Sequence, residues 1–228
     1  MCRLMDNPVG CPRPCPRGCP HLPTLRALPR RRGAYFAKAK GHMILFLDFD
    51  GVLHPDAAYC ERGRPVLRAE GALFMWAPIL VDIVAPFPAL RIVLSTSWVR
   101  VLRFDRARSY LPRELQRRVI GATWHSAMAR HPEGSHRIND WYATATRYQQ
   151  IVRYVERSGA AASEWLAIDD DDDGWEDVNR FRLIPTDGRF GLSVLKTQHE
   201  LRSKLERLHG ACGNPGVCGD PTTSLDRE

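Results

Sequence analysis

Three groups of polar side chains in this chain each follow a short apolar run. MILFL at 43–47 leads into Asp48-Phe49-Asp50-Gly51, LRIVL at 90–94 into Ser95-Thr96-Ser97, and EWLAI at 164–168 into five consecutive aspartates, Asp169 to Asp173. Carboxylates gathered in one place repel one another, so a cluster built from these groups needs a cation. An all-oxygen, hard donor set favours Mg²⁺, which keeps several waters and binds through one or two carboxylates plus a substrate phosphate. A carboxylate beside such an ion stays ionised and can attack phosphorus in line. A second carboxyl two residues on can protonate the leaving oxygen and then take a proton from the hydrolytic water. Asp48 and Asp50 have the spacing for those two roles, and Gly51 suits a turn that brings backbone N–H groups near a phosphate.

For these groups to meet, the apolar runs must be neighbouring strands whose carboxyl ends share one edge of a sheet, where α/β proteins bind their ligands. The surrounding pattern supports this. Strands are expected at Met43–Leu47, Leu90–Leu94, Glu164–Ile168 and Phe181–Ile184. Between them, helical spacing marks Glu70–Val84, a segment from Trp98, a short helix at Pro112–Val119 opened by its proline, Thr144–Arg157 and a closing helix at Leu192–Leu208. Strands alternating with helices predict a Rossmann-like three-layer α/β/α fold with a mainly parallel central sheet. The loop between Val52 and Glu70 is too short for a large inserted cap, and residues 98–142 have room for a small helical cover, so the cap is small or absent.

ILFLDFDGVLHP, IVLSTSW and WLAIDDDDD, in that order, resemble the motifs of the haloacid dehalogenase-like (HAD) superfamily, and in particular the HAD domain of Swiss Army knife RNA repair proteins. The resemblance covers roughly Met43 to Leu208. It implies a Mg²⁺-dependent phosphatase in which Asp48 is nucleophile and metal ligand. Asp50 is then the acid/base, with its backbone carbonyl on the metal. Ser95, or Thr96 as the alternate, would hold a phosphoryl oxygen, and Asp169 and Asp170 would complete the metal shell. The family's third motif is a Lys or Arg ahead of the acidic strand. The only lysines of the core, Lys196 and Lys204, come after the acidic run, so an arginine must serve: Arg147, with Arg137 as the alternative. Arginine also neutralises phosphate charge, and can do so with a bidentate fork. Only one or two of the five aspartates can reach a metal.

The formal charge of +7 suggests a polyanion-binding protein until it is located along the chain. Residues 1–42 hold nine Lys/Arg against Asp6 alone, which leaves 33 − 9 = 24 basic and 26 − 1 = 25 acidic residues elsewhere. That Pro-, Arg- and Cys-rich stretch reads as a disordered extension, with Met43 as the expected start of the folded unit, and residues 209–228 read as a disordered tail. Cys11, Cys15, Cys19 and His21 are spaced too tightly, among prolines, for an ordinary zinc site. Seven scattered cysteines make no paired disulfide framework. No apolar run is long enough to span a membrane and no secretory signal is evident, so a cytoplasmic protein with no membrane partner is expected.

Seven arginines between Arg100 and Arg118 suit either a solvated helix face or a nucleic-acid backbone. Trp98, Trp124, Trp141 and Trp175 suit core packing or base stacking, and His54 a pocket wall or the surface. A small cap leaves the pocket open to macromolecular ends. The expected partner is therefore a phosphorylated substrate, an RNA or DNA end or a nucleotide. A catalytically weak module binding RNA or a protein partner, and a small-molecule phosphatase, are the alternatives; the oligomeric state stays open.

Overall fold

The computed structural model describes residues 43–124, 141–158 and 165–212. The extension over 1–42, Arg137 and residues 213–228 lie outside them.

Strand β1 (Ile44–Leu47) is buried along its whole length, as the apolar run requires of a strand covered on both faces. It is the centre of a five-stranded sheet of order β5-β4-β1-β6-β7, with β4 at Arg91–Leu94, β5 at Val119–Ala122, β6 at Trp165–Asp169 and β7 at Leu183–Pro185. Every pairing in it is parallel. The side chains of β1 alternate between two cores. Leu45 and Leu47 pack with Leu80 and Ile83 of helix α1 (Ala77–Val84) and with Leu201 and Leu205 of the last helix. Ile44 and Phe46 pack with Tyr148, Ile151 and Tyr154 on the opposite face. Helices on both faces of a parallel sheet make the α/β fold that the alternation predicts.

Register is what positions the site. Leu47 pairs with Leu94 on one side and Ile168 on the other, so the next residues along, Asp48, Ser95 and Asp169, stand level at the same edge. The amide of Asp48 donates to Ile168 O (3.2 Å), and that of Ser95 to Leu47 O (2.8 Å), carrying the ladder one step past the strands. The strand order reverses at β1, with β4 and β5 to one side and β6 and β7 to the other. A crevice opens at such a reversal.

The remaining helices are α2 (Trp98–Leu102), α3 (Phe104–Ser109), α4 (Arg113–Gln116), α5 (Trp141–Thr144), α6 (Arg147–Ser158), α7 (Asp177–Arg180) and α8 (Leu195–Cys212). An antiparallel hairpin of β2 (Ala58–Glu61) and β3 (Arg64–Leu67) occupies the loop after β1. No helix among the described residues is long and apolar enough to cross a membrane.

Several elements differ from the sequence expectation. The hairpin was missed because its two turn residues are Arg62-Gly63; both adopt positive φ (49° and 75°), which Asn-Gly would have signalled and arginine does not. The helix expected from Glu70 begins at Ala77, since Gly71 (φ 109°) and Phe74 (φ 60°) break the path and Pro78 opens the helix. The helix expected to reach Val119 is four residues long, and Val119 instead opens β5, an edge strand too short to show a period. Helix α8 runs on to Cys212, past Leu208, after a 3₁₀ turn at Gly191–Ser193.

Candidate active site

At the carboxyl edge of β1 and β6, one oxygen each from Asp48, Asp169 and Asp170 lies within 4.8 Å of the others. Asp48 and Asp169 are about 1% exposed. Arg147, the first residue of α6, reaches across both: its Nη2 donates to Asp48 Oδ2 (3.1 Å) and its Nε lies 2.9 Å from Asp169 Oδ2. Its guanidinium is itself buried, so the ion pairs are shielded from solvent. Asp48 also accepts from the Phe49 amide (2.8 Å) and the Thr96 hydroxyl. Asp169 accepts from the amide of Asp171 (3.1 Å).

One guanidinium does not balance this much buried negative charge. Burial, and then the charge of Asp50, push Asp48 up to about 6 against the pull of Arg147. Asp169 is raised well above the usual carboxylate range by burial, with Asp48 adding to it and Arg147 opposing. Asp170 rises to about 7 through burial and the charges of Asp48 and Asp56. Oxygen-only donors, three carboxylates in mutual reach and raised proton affinity together suit a hard divalent cation, whose charge would reverse all three shifts.

Gly51 has a second role besides making a turn. It sits at φ +65°, and a Cβ there would lie 2.2 Å from Asp170 Oδ2. Its missing side chain is the space in which the Asp170 carboxylate rests. Thr186 donates to Gly51 O (2.8 Å), tying this turn to the segment after β7.

Asp50 points into a different environment. Its Oδ1 lies 3.1 Å from His54 Nε2, and the Trp98 indole N–H donates to both of its oxygens (3.1 and 2.9 Å). His54 and Trp98 are wholly buried, so His54 is not a surface residue; it stands behind Asp50 rather than on the cavity wall, and Trp98 belongs to the core. Trp124 and Trp175 are buried as well, whereas Trp141 is partly exposed with Arg153 over its ring at 4.1 Å.

These groups open on a cavity of about 210 Å³ whose wall includes Asp48, Asp50, Asp170, Asp171 and Arg147. Asp56, Ser97, Arg100, Tyr142, Thr146 and Gln150 join them there. Sequence reasoning reached Ser97 only as the end of the Ser95-Thr96-Ser97 group and Arg100 only as one of the arginines of 100–118; it did not single out Asp56, Tyr142, Thr146 or Gln150, which come from loops and helices with no local signature. Of the hydroxyls after β4, Ser97 is on the wall, Thr96 bonds Asp48, and Ser95 Oγ is buried without a hydrogen-bond partner among the described residues. Arg137 lies outside the described residues. Of the outer aspartates, Asp172 pairs with Arg180 on the surface (2.6 Å), while Asp171, on the cavity wall, accepts from the amide of Asp173.

Compared with known proteins, residues 44–196 match the family model described as the HAD domain in Swiss Army Knife RNA repair proteins. No curated protein matches the chain, and no solved structure does.

Proposed function

The chain belongs to the family of HAD domains in Swiss Army Knife RNA repair proteins, and from that premise we propose that it is a Mg²⁺-dependent phosphomonoester hydrolase working through an aspartyl-phosphate on Asp48. The observation that carries this reading is the convergence of Asp48, Asp169 and Asp170 within 4.8 Å, beside Arg147, at the edge of a cavity. In this reading Asp48, Asp169, Asp170 and the backbone carbonyl of Asp50 would hold the ion, which when bound would neutralise the carboxylates and the phosphoryl oxygens.

The reaction has two halves. An Asp48 carboxylate oxygen bonds to phosphorus as the bond from phosphorus to the leaving oxygen breaks, and Asp50 gives that oxygen its proton. Asp50 then takes a proton from water as the water oxygen bonds to phosphorus and the bond to Asp48 breaks, releasing inorganic phosphate. Arg147 counters the phosphoryl charge, with the hydroxyls of Thr96 and Ser95 as its neutral partners. Thr96 is the better placed of the two, since it already bonds the nucleophile.

A phosphorylated nucleic-acid end is the substrate class favoured by the family's name and by Arg100 on the cavity wall. Among the seven arginines of 100–118, Arg106, Arg108 and Arg118 donate to the backbone carbonyls of Gly63, Gln116 and Phe87 and so brace loops. That use of charge fits an enzyme better than an arginine-lined binding module. A cytoplasmic setting belongs to the same reading.

The test is phosphate release from an aryl phosphate and from phosphate-ended oligonucleotides, with and without Mg²⁺. Turnover should vanish on chelation and fall at least about 10³-fold in Asp48→Asn. Undiminished release by that variant would end the aspartyl-phosphate mechanism. Salt-sensitive oligonucleotide binding without turnover would favour a binding module instead.

A further inference from the structure

Asp50 is held by side chains that no metal or phosphate requires. His54 and Trp98 lie 4 and 48 residues away in the chain, are 0% exposed, and both direct a ring nitrogen at its carboxyl group. The tautomer of His54 follows from its other nitrogen. Nδ1 accepts the backbone N–H of Phe74 (3.4 Å), so the proton sits on Nε2, the nitrogen 3.1 Å from Asp50 Oδ1. That arrangement requires Phe74 to keep φ at +60°, a conformation a bulky residue avoids and holds only where its surroundings impose it. The surroundings are aromatic. Phe74 meets Phe49, His54 and Trp98 edge-on or tilted at 4.9–5.2 Å and stacks on Tyr110 at 5.8 Å.

We infer that His54 and Trp98 are positioning residues: a two-donor clamp that fixes the plane of the Asp50 carboxyl, and so the direction in which it offers a proton to the leaving oxygen. This rests on Asp50 being the proton shuttle of the proposed hydrolysis. The clamp touches neither phosphorus nor metal and acts only through Asp50. A misdirected general acid hurts most where the departing oxygen is strongly basic and must be protonated as it leaves. Where the leaving group is already stable as an anion, little is lost.

The experiment compares kcat/KM, which counts only steps up to loss of the leaving group, for an alkyl phosphate and for 2,4-dinitrophenyl phosphate. It is run with Mg²⁺ on the full-length wild type, Trp98→Phe, His54→Leu and His54→Gln. Trp98→Phe keeps a ring in the aromatic box and loses only the N–H. His54→Gln keeps a donor and should recover part of what His54→Leu loses. In Trp98→Phe and His54→Leu the alkyl phosphate should slow roughly 10- to 100-fold and the dinitrophenyl ester less than about 3-fold. The ratio of the two rates, taken on one preparation, cancels any loss of folded protein. Equal losses on both substrates, or no loss on either, would overturn the clamp while leaving the phosphatase reading intact. A wild type that turns over neither substrate removes the phosphatase reading, and the clamp with it.

Discussion

Asp48 and Asp50 are two residues apart, yet the two sides of the pocket treat a buried carboxylate in opposite ways. On the Asp48 side, Asp169 and Asp170 crowd in, one arginine spans two of the three, and burial raises all three proton affinities. On the Asp50 side, a neutral imidazole and an indole supply donors within an aromatic wall. The first environment is electrostatically incomplete and suits a cation. The second supplies hydrogen-bond donors to its carboxylate instead. Neighbouring carboxylates given such different surroundings are suited to different tasks, one to attack and one to carry protons.

The widest gap between the two sides should show in stability without metal. Arg147→Met breaks both buried ion pairs and should cost about 3–5 kcal/mol near neutral pH in chelator, because two carboxylates are left buried. Trp98→Phe removes one donor from a neutral clamp and should cost only about 1–3 kcal/mol. Denaturant titration of both variants measures the difference, and equal costs would erase the contrast.

A second expectation concerns pH. In the metal-free fold Asp48 binds its proton up to about 6 and Asp170 up to about 7, against an ordinary value near 3.8 when unfolded. Between about pH 4 and 7 the folded state therefore holds more protons than the unfolded one, so these groups make stability fall as pH rises. Mg²⁺ should oppose that fall. The stability difference between Asp170→Asn and wild type in chelator should grow in the variant's favour from pH 4.5 to 7.5, as melting curves at matched pH would show. A constant difference would mean that Asp170 is not under this strain.

The smallest effect belongs to the acidic run outside the pocket. Arg180 and Asp172 pair at 2.6 Å but are both more than half exposed, so Arg180→Ala should change stability by less than about 1 kcal/mol and turnover not at all. A large loss of turnover would mean that the cluster extends further along the aspartate run than Asp170.

The acid side was legible in the sequence because each of its carboxylates follows an apolar strand, and strands of similar pattern pair in register. MILFL and WLAI mark their own ends, and a level register then delivers Asp48 and Asp169 to one edge. Arg147 came from a different argument, the want of a lysine ahead of the acidic strand. The aromatic side was not legible in this way. His54 had no local signal to separate a pocket wall from a surface, and nothing in STSW tells where an indole N–H will point. The hairpin after β1 was hidden for a similar reason, since Arg62 takes a turn conformation its side chain does not advertise.

Sequence by itself determined the parallel α/β sheet and the acids at its edge, because burial on both faces and strand-end polarity are local properties, written residue by residue. Only the tertiary structure decided which side chains surround each acid. Arg147, His54, Trp98 and the space left by Gly51 reach Asp48, Asp50 and Asp170 through packing of segments up to 119 residues apart, from Gly51 to Asp170, and no local pattern encodes a distance of that kind.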